Sequence, residues 1–84
     1  MNHPVIAVYS GTFDPLTLGH EDVVRRAARM FDQVIIAVAT AHHKKTLFSL
    51  DERLHLAQSA LHDCANVKAM PFDGLIVDFV RAQK

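Results

Sequence analysis

Six consecutive apolar residues, Val34-Ile35-Ile36-Ala37-Val38-Ala39, stand between Gln33 and Thr40. The run is far too short to cross a membrane. With no polar alternation, it reads as a strand covered on both faces. Such strands belong to the middle of parallel sheets, and parallel neighbours require crossover connections, usually helices. The flanking sequence offers both. Val5 to Tyr9 is a second continuous apolar run, with Pro4 at its start, where a missing N–H does least harm. Asn66 to Met70 is a third, weaker one, expected to be broken by Pro71 and Asp73-Gly74.

Helical periodicity fills the gaps. Between Gly19 and Met30, Val23, Val24, Ala27 and Ala28 share a stripe that continues to Phe31, and Glu21, Asp22, Arg25, Arg26 and Arg29 take the other face. Glu21–Arg25 and Asp22–Arg26 are i,i+4 pairs, and acids before arginines suit the helix dipole. Ser49-Leu50-Asp51-Glu52 reads as a capping box with Ser49 as N-cap and Glu52 at N3. A second helix follows, with Leu50, Leu54, Ala57 and Leu61 at helical spacing. Leu75, Ile76, Phe79 and Val80 form the stripe of a third. The fold class is therefore α/β: a Rossmann-like parallel sheet flanked by helices, in the order β-α-β-α-β-α, within one domain spanning residues 1–84. Ligands of such sheets sit beyond the carboxyl ends of the strands, near a reversal of strand order. Three segments should thus meet on one rim: the turn at Gly11, the polar connection from Thr40 to Phe48, and Phe72 to Ile76.

Net charge is +0, so no global field draws the chain to nucleic acid or to an anionic membrane, and affinity for a phosphate must be local. Cys64 is the one cysteine, which excludes an intrachain disulfide and fits a reducing compartment. Met1-Asn2-His3-Pro4 lacks the basic start of a secretory signal. The expectation is a cytoplasmic protein.

The local site is the stretch Ser10-Gly11-Thr12-Phe13-Asp14-Pro15-Leu16-Thr17-Leu18-Gly19-His20. A strand runs into it and a helix leaves it. In that geometry backbone N–H groups and the positive end of a helix dipole can hold a phosphate. Gly11 leaves the backbone bare, Thr12 brings a hydroxyl, and Thr17 is an N-cap candidate that puts His20 in the first helical turn. Neither a Walker loop nor a G-x-G-x-x-G turn is present. Asp14-Pro15 reads as a turn start.

Gly11-Thr12-Phe13-Asp14-Pro15 with Thr17-Leu18-Gly19-His20 resembles the signature of the nucleotidyltransferase superfamily with its (H/T)-x-G-H motif. Within it, the sequence is most similar to the bacterial phosphopantetheine adenylyltransferase family. The similarity continues through Phe31-Asp32, Lys44-Lys45, Phe48 to Arg53, Asn66-Val67 and Asp78-Phe79. It implies transfer of the adenylyl group of ATP to 4′-phosphopantetheine, giving dephospho-coenzyme A and pyrophosphate. It assigns ATP contacts to Gly11, Thr12, Phe13 and His20, and substrate contacts to Thr12, Lys44 and Ile76. The catalytic set is then Thr12, His20 and Lys44. His20 would stabilise charge on the α-phosphate from a neutral ring, and Lys44, with Lys45 as fallback, would neutralise the attacking phosphate. Mg²⁺ would be held mainly by ATP phosphates and water rather than by a protein cage. The family also implies a homo-oligomer, a hexamer where the full chain is present.

Several residues depart from the family pattern: Ser10, His42, His43, and Asp73-Gly74. The adjacent histidines read as solvated loop residues, Cys64 as a small filler, and Ile76 as core by its stripe. The Arg-Gly-x-Arg segment and Ser-rich turn that complete the family's ATP site have no counterpart, so the chain is expected to be the N-terminal half of a member. That leaves an alternative in which the half-domain binds phosphate ligands or a partner chain without turnover. Another alternative is a different adenylyl- or cytidylyltransferase of the same superfamily. Replacing His20 by Ala is expected to cut turnover by orders of magnitude with little loss of stability.

Overall fold

A computed structural model describes residues 4–41 and 45–83. Three strands, β1 (Ile6–Gly11), β2 (Gln33–Ala39) and β3 (Val67–Phe72), alternate with three helices, α1 (Leu18–Met30), α2 (Leu50–Ala60) and α3 (Ile76–Ala82). The sheet runs β1-β2-β3 with both pairs parallel. The wholly apolar run lies in the middle, as its sequence requires. One face of β2 (Val34, Ile36 and Val38) packs with Val24 of α1 and with Ala57 and Leu61 of the α2 region, so both helices cover the same side. Ile35 and Ala37 on the other face are equally buried. No reversal of strand order occurs among the described strands. What gathers the loops instead is register: Gly11, Val38 and Pro71 are level, so all three strands end at one edge.

The helix starts follow the sequence. Thr17 caps α1, and Ser49 caps α2 through the expected box. The Ser49 N–H donates to Glu52 at 2.9 Å, and that bond holds the Glu52 carboxyl below its usual range. The Asn66 side chain donates to the carbonyls of Ala28 and Phe31 at 2.8 and 3.3 Å, closing the C-terminal end of α1. Arg26 pairs with Asp22 at 3.1 Å as anticipated. Arg25 does not favour Glu21, which stays 4.0 Å away. Its guanidinium instead forks onto Asp63 at 2.9 and 3.1 Å and donates to the Ala60 carbonyl at 3.1 Å, fastening α1 to the segment after α2. A bidentate partner outcompetes a helical neighbour that offers one strained contact. Cys64, half-buried against the core, lies 3.4 Å from the same guanidinium.

Three features differ from expectation. β1 extends through Ser10 and Gly11, so the glycine is a strand residue rather than part of the turn. β3 contains Pro71. The Phe72 carbonyl accepts from the Thr40 N–H at 3.1 Å, so it faces β2. Successive backbone groups alternate in direction, which turns the Pro71 nitrogen outward to the edge, where no N–H is needed. Finally, α3 forms where the stripe predicted, but it buries none of its residues. Ile76 is 37% exposed, which corrects its assignment to the core. Phe79 meets Phe72 with ring centroids 5.7 Å apart.

Ile36→Ala should cost about 2–5 kcal/mol in urea unfolding through the cavity it leaves, whereas the exposed Val80→Ala should stay within about 0.5 kcal/mol. The Arg25 fork holds the Asp63 carboxyl below its ordinary range. A depressed carboxyl contributes stability above its unfolded pKa and loses it as pH falls through the folded value. Asp63→Asn should therefore flatten the fall of Tm between about pH 5 and pH 1 and leave that dependence unchanged above it.

Candidate functional site

The rim at the carboxyl edge of the sheet is built from backbone turns held by a few side chains. After Gly11 the chain reverses through Phe13, whose φ of 51° is left-handed, and the ring folds back into the core. A Cβ on Gly11 would lie 3.1 Å from that ring. A side chain at position 11 would therefore crowd the Phe13 ring. The Phe13 ring stands edge-on to His20 at 5.0 Å and to Tyr9 at 5.4 Å, so three aromatic rings fix one another at the entry to α1.

His20 occupies N3 of α1 and completes a capping box in the place usually taken by Glu or Gln. Its N–H donates to the Thr17 hydroxyl at 3.2 Å, and the Thr17 N–H donates to Nδ1 of His20 at 3.0 Å. Because Nδ1 accepts, the proton of the neutral ring is on Nε2. That nitrogen has no partner among the described residues. A single hydrogen-bond donor therefore remains available at a helix N-terminus, where the N–H groups of Leu18 and Gly19 lie within the first turn. Removing His20 also takes an acceptor from the Thr17 N–H, a bond that lies at the exposed start of the helix.

Thr12 follows directly on β1, half-buried, with its hydroxyl unpartnered among the described residues. Gly11, Thr12, Phe13 and His20 are thus brought together. Lys44, with His42 and His43, lies outside the described residues; Lys45 is exposed on the approach to α2. Ile76 sits in the first turn of α3, beyond the exit of β3, and is not packed into the core.

The residues that organise the rim were largely missed by sequence reasoning. Arg53 is 1% exposed. Its Nη1 donates to the carbonyls of Thr12 and Ala39 at 3.0 and 2.7 Å, its Nη2 to Thr40 at 3.3 Å, and its Nε to Phe48 at 3.2 Å. The signal was available, since Arg53 falls between Leu50 and Ala57 on the buried stripe of α2. Asp14 does more than begin a turn: its carboxylate accepts from the N–H groups of Leu47 and Phe48 at 2.6 and 2.8 Å. The Thr40 hydroxyl donates to Asp73 at 3.2 Å, joining the exits of β2 and β3. The three convergent segments are therefore physically bonded to one another.

The cytidylyltransferase-like family model matches residues 8–84. A phosphopantetheine adenylyltransferase of Acidovorax sp. (strain JS42) is 66% identical over 79 residues, covering 94% of this chain and 48% of its own. That of Methylobacillus flagellatus is 58% identical over 76 residues, covering 90% and 48%. The chain thus spans about half the length of the curated relatives it matches. Among solved structures, a NadR protein in complex with NAD and AMP-PNP superposes with a TM-score of 0.74 at 25% identity, over 87% of this chain and 21% of that one. A bifunctional NMN adenylyltransferase/ADP ribose pyrophosphatase from Francisella tularensis gives 0.72 at 24%, over 96% and 26%, and speaks to the fold alone.

Asp14→Ala strips the Leu47 and Phe48 N–H groups of their acceptor. It should lower stability by about 1–3 kcal/mol in chemical denaturation, with Asp14→Asn intermediate because one amide oxygen remains.

Proposed function

Since the chain belongs to the cytidylyltransferase-like family, we propose that it carries the nucleotide-binding part of an enzyme that transfers the adenylyl group of ATP to 4′-phosphopantetheine, giving dephospho-coenzyme A and pyrophosphate. The observation that carries the reading is the His20 ring in the first turn of α1, held by the Thr17 N–H on Nδ1 so that its Nε2–H is left to donate. The 66% identity to a phosphopantetheine adenylyltransferase supports the choice of acceptor.

In this reading an oxygen of the 4′-phosphate attacks the α-phosphorus of ATP. The bond from phosphorus to the bridging oxygen breaks, and pyrophosphate leaves with its electron pair. No covalent enzyme intermediate forms. Negative charge gathers on the non-bridging α-phosphate oxygens as phosphorus becomes five-coordinate, and the Nε2–H of His20 together with the end of α1 stabilises it. Gly11 and the backbone at Phe13 lie against ATP, while the Thr12 hydroxyl touches both substrates. Two phosphates cannot approach in line unless their repulsion is cancelled, which is the role of Lys44, with Lys45 next to it. The backbone at Ile76 meets the pantetheine arm. When bound, Mg²⁺ would be held by the nucleotide's phosphates and water and would neutralise charge on them. The same reading places the protein in the cytoplasm, as a homo-oligomer that in the complete family member is a hexamer. Among the described residues no helix is long and apolar enough to cross a membrane.

The test is pyrophosphate release from ATP with 4′-phosphopantetheine, nicotinamide mononucleotide or glycerol 3-phosphate as acceptor. Release is expected with phosphopantetheine alone; preference for either other acceptor overturns the substrate assignment. His20→Ala should lower kcat by at least about 10²-fold while the protein still melts cooperatively. Unchanged turnover in that variant would remove His20 from the mechanism.

A further inference from the structure

We propose that Arg53 is a positioning residue for the transfer: its buried guanidinium sets the distance between the strand end that holds the nucleotide and the strand end that carries the lysine loop. The proposal rests on the adenylyl-transfer reading above and goes beyond it.

The geometry is specific to a guanidinium. Thr12 follows β1, Ala39 and Thr40 end β2, and Phe48 precedes α2, yet all four carbonyls accept from this single planar group, at 3.0, 2.7, 3.3 and 3.2 Å. Three separate nitrogens are used. A lysine has one, on a flexible stem, and cannot span carbonyls from three segments at once. No carboxylate pairs with Arg53 among the described residues, so its charge is solvated by carbonyl dipoles alone.

The bonded atoms also sit beside the chemistry. The Thr12 carbonyl belongs to the residue whose hydroxyl reaches both substrates. Thr40 begins the segment that leads to Lys44 and Lys45. If Nη1 lets go of either carbonyl, both substrates still find their own contacts, but the attacking oxygen and the α-phosphorus lose their relative placement. A displacement near 1 Å is enough to cost about 10²-fold in rate. Asp14 cannot substitute, because its carboxylate reaches only the N–H groups of Leu47 and Phe48.

The experiment compares the chain with its Arg53→Lys and Arg53→Gln variants by steady-state pyrophosphate release and by amide hydrogen exchange without ligand. The expected result is a kcat lower by about 10²-fold with KM for each substrate within about threefold. It is accompanied by faster exchange at Thr40, Leu47 and Phe48 and unchanged exchange in α1 and Ile35–Val38. Rates near wild type overturn the proposal, and so does faster exchange throughout the chain or failure of both variants to fold, since each makes Arg53 a general structural residue. Absence of pyrophosphate release from the unsubstituted chain counts against the adenylyl-transfer reading instead. In that case the exchange pattern alone decides whether Arg53 fixes the rim.

Discussion

A strand with no exposed face must be covered everywhere, and β2 imposes that condition on the whole molecule. Its five central residues, Val34 to Val38, are 0–1% exposed. Strands lie on both of its edges and two helices over the face of Val34, Ile36 and Val38, and the helical crossovers make all three strands parallel. Parallel strands in level register end together. The polar rim is thus a by-product of burying an apolar strand: the loops meet there because nowhere else is open to them.

Meeting is not the same as being fixed. At the end of a parallel sheet the last carbonyls lose their ladder partners, and half-buried backbone groups without partners cost as much as broken hydrogen bonds. Arg53 answers that need from below, giving donors to Thr12, Ala39, Thr40 and Phe48. Asp14 answers the complementary need from the other side, giving acceptors to the N–H groups of Leu47 and Phe48. Phe48 is held by both, its carbonyl by the arginine and its N–H by the aspartate. No buried side-chain polar atom among the described residues is left unsatisfied. The burial of a charge is tolerable here because the strand ends supply dipoles that would otherwise be orphaned.

What the sequence made legible follows from how local each signal is. The apolar run, the two capping boxes' N-cap residues and the stripe of α2 are written within a turn or two of chain, and all formed as read. The sequence reads as a break at Pro71, but whether a proline breaks a strand depends on which way its nitrogen faces, and that is fixed by pairing with β2, not by neighbours in sequence. Helical spacing pairs Arg25 with Glu21, while Asp63, 38 residues away, leaves no local signal. The regular stripe of α3 puts Ile76 in the core, but periodicity gives the face of a helix and not whether anything covers it. The motif from Gly11 to His20 was legible as a unit, yet the reasons for its residues were not. Gly11 answers to the Phe13 ring, and Asp14 to a loop 33 residues on.

The two capping boxes show how fold and chemistry share one residue. At α2 the N3 position is Glu52, whose carboxylate accepts from the Ser49 N–H and brings a negative charge to the positive end of the helix. For stability alone that is the better choice, and it suits a helix start with no anion to receive. At α1 the same position is His20, which accepts the Thr17 N–H through Nδ1 just as the glutamate does. A carboxylate there would repel an incoming phosphate from the very site the helix dipole makes attractive. An imidazole accepts on one nitrogen and donates on the other, so the bond that caps the helix also leaves the proton of the neutral ring on Nε2. In the proposed reading, the exchange of Glu for His at N3 separates a helix start that only has to be stable from one that also binds.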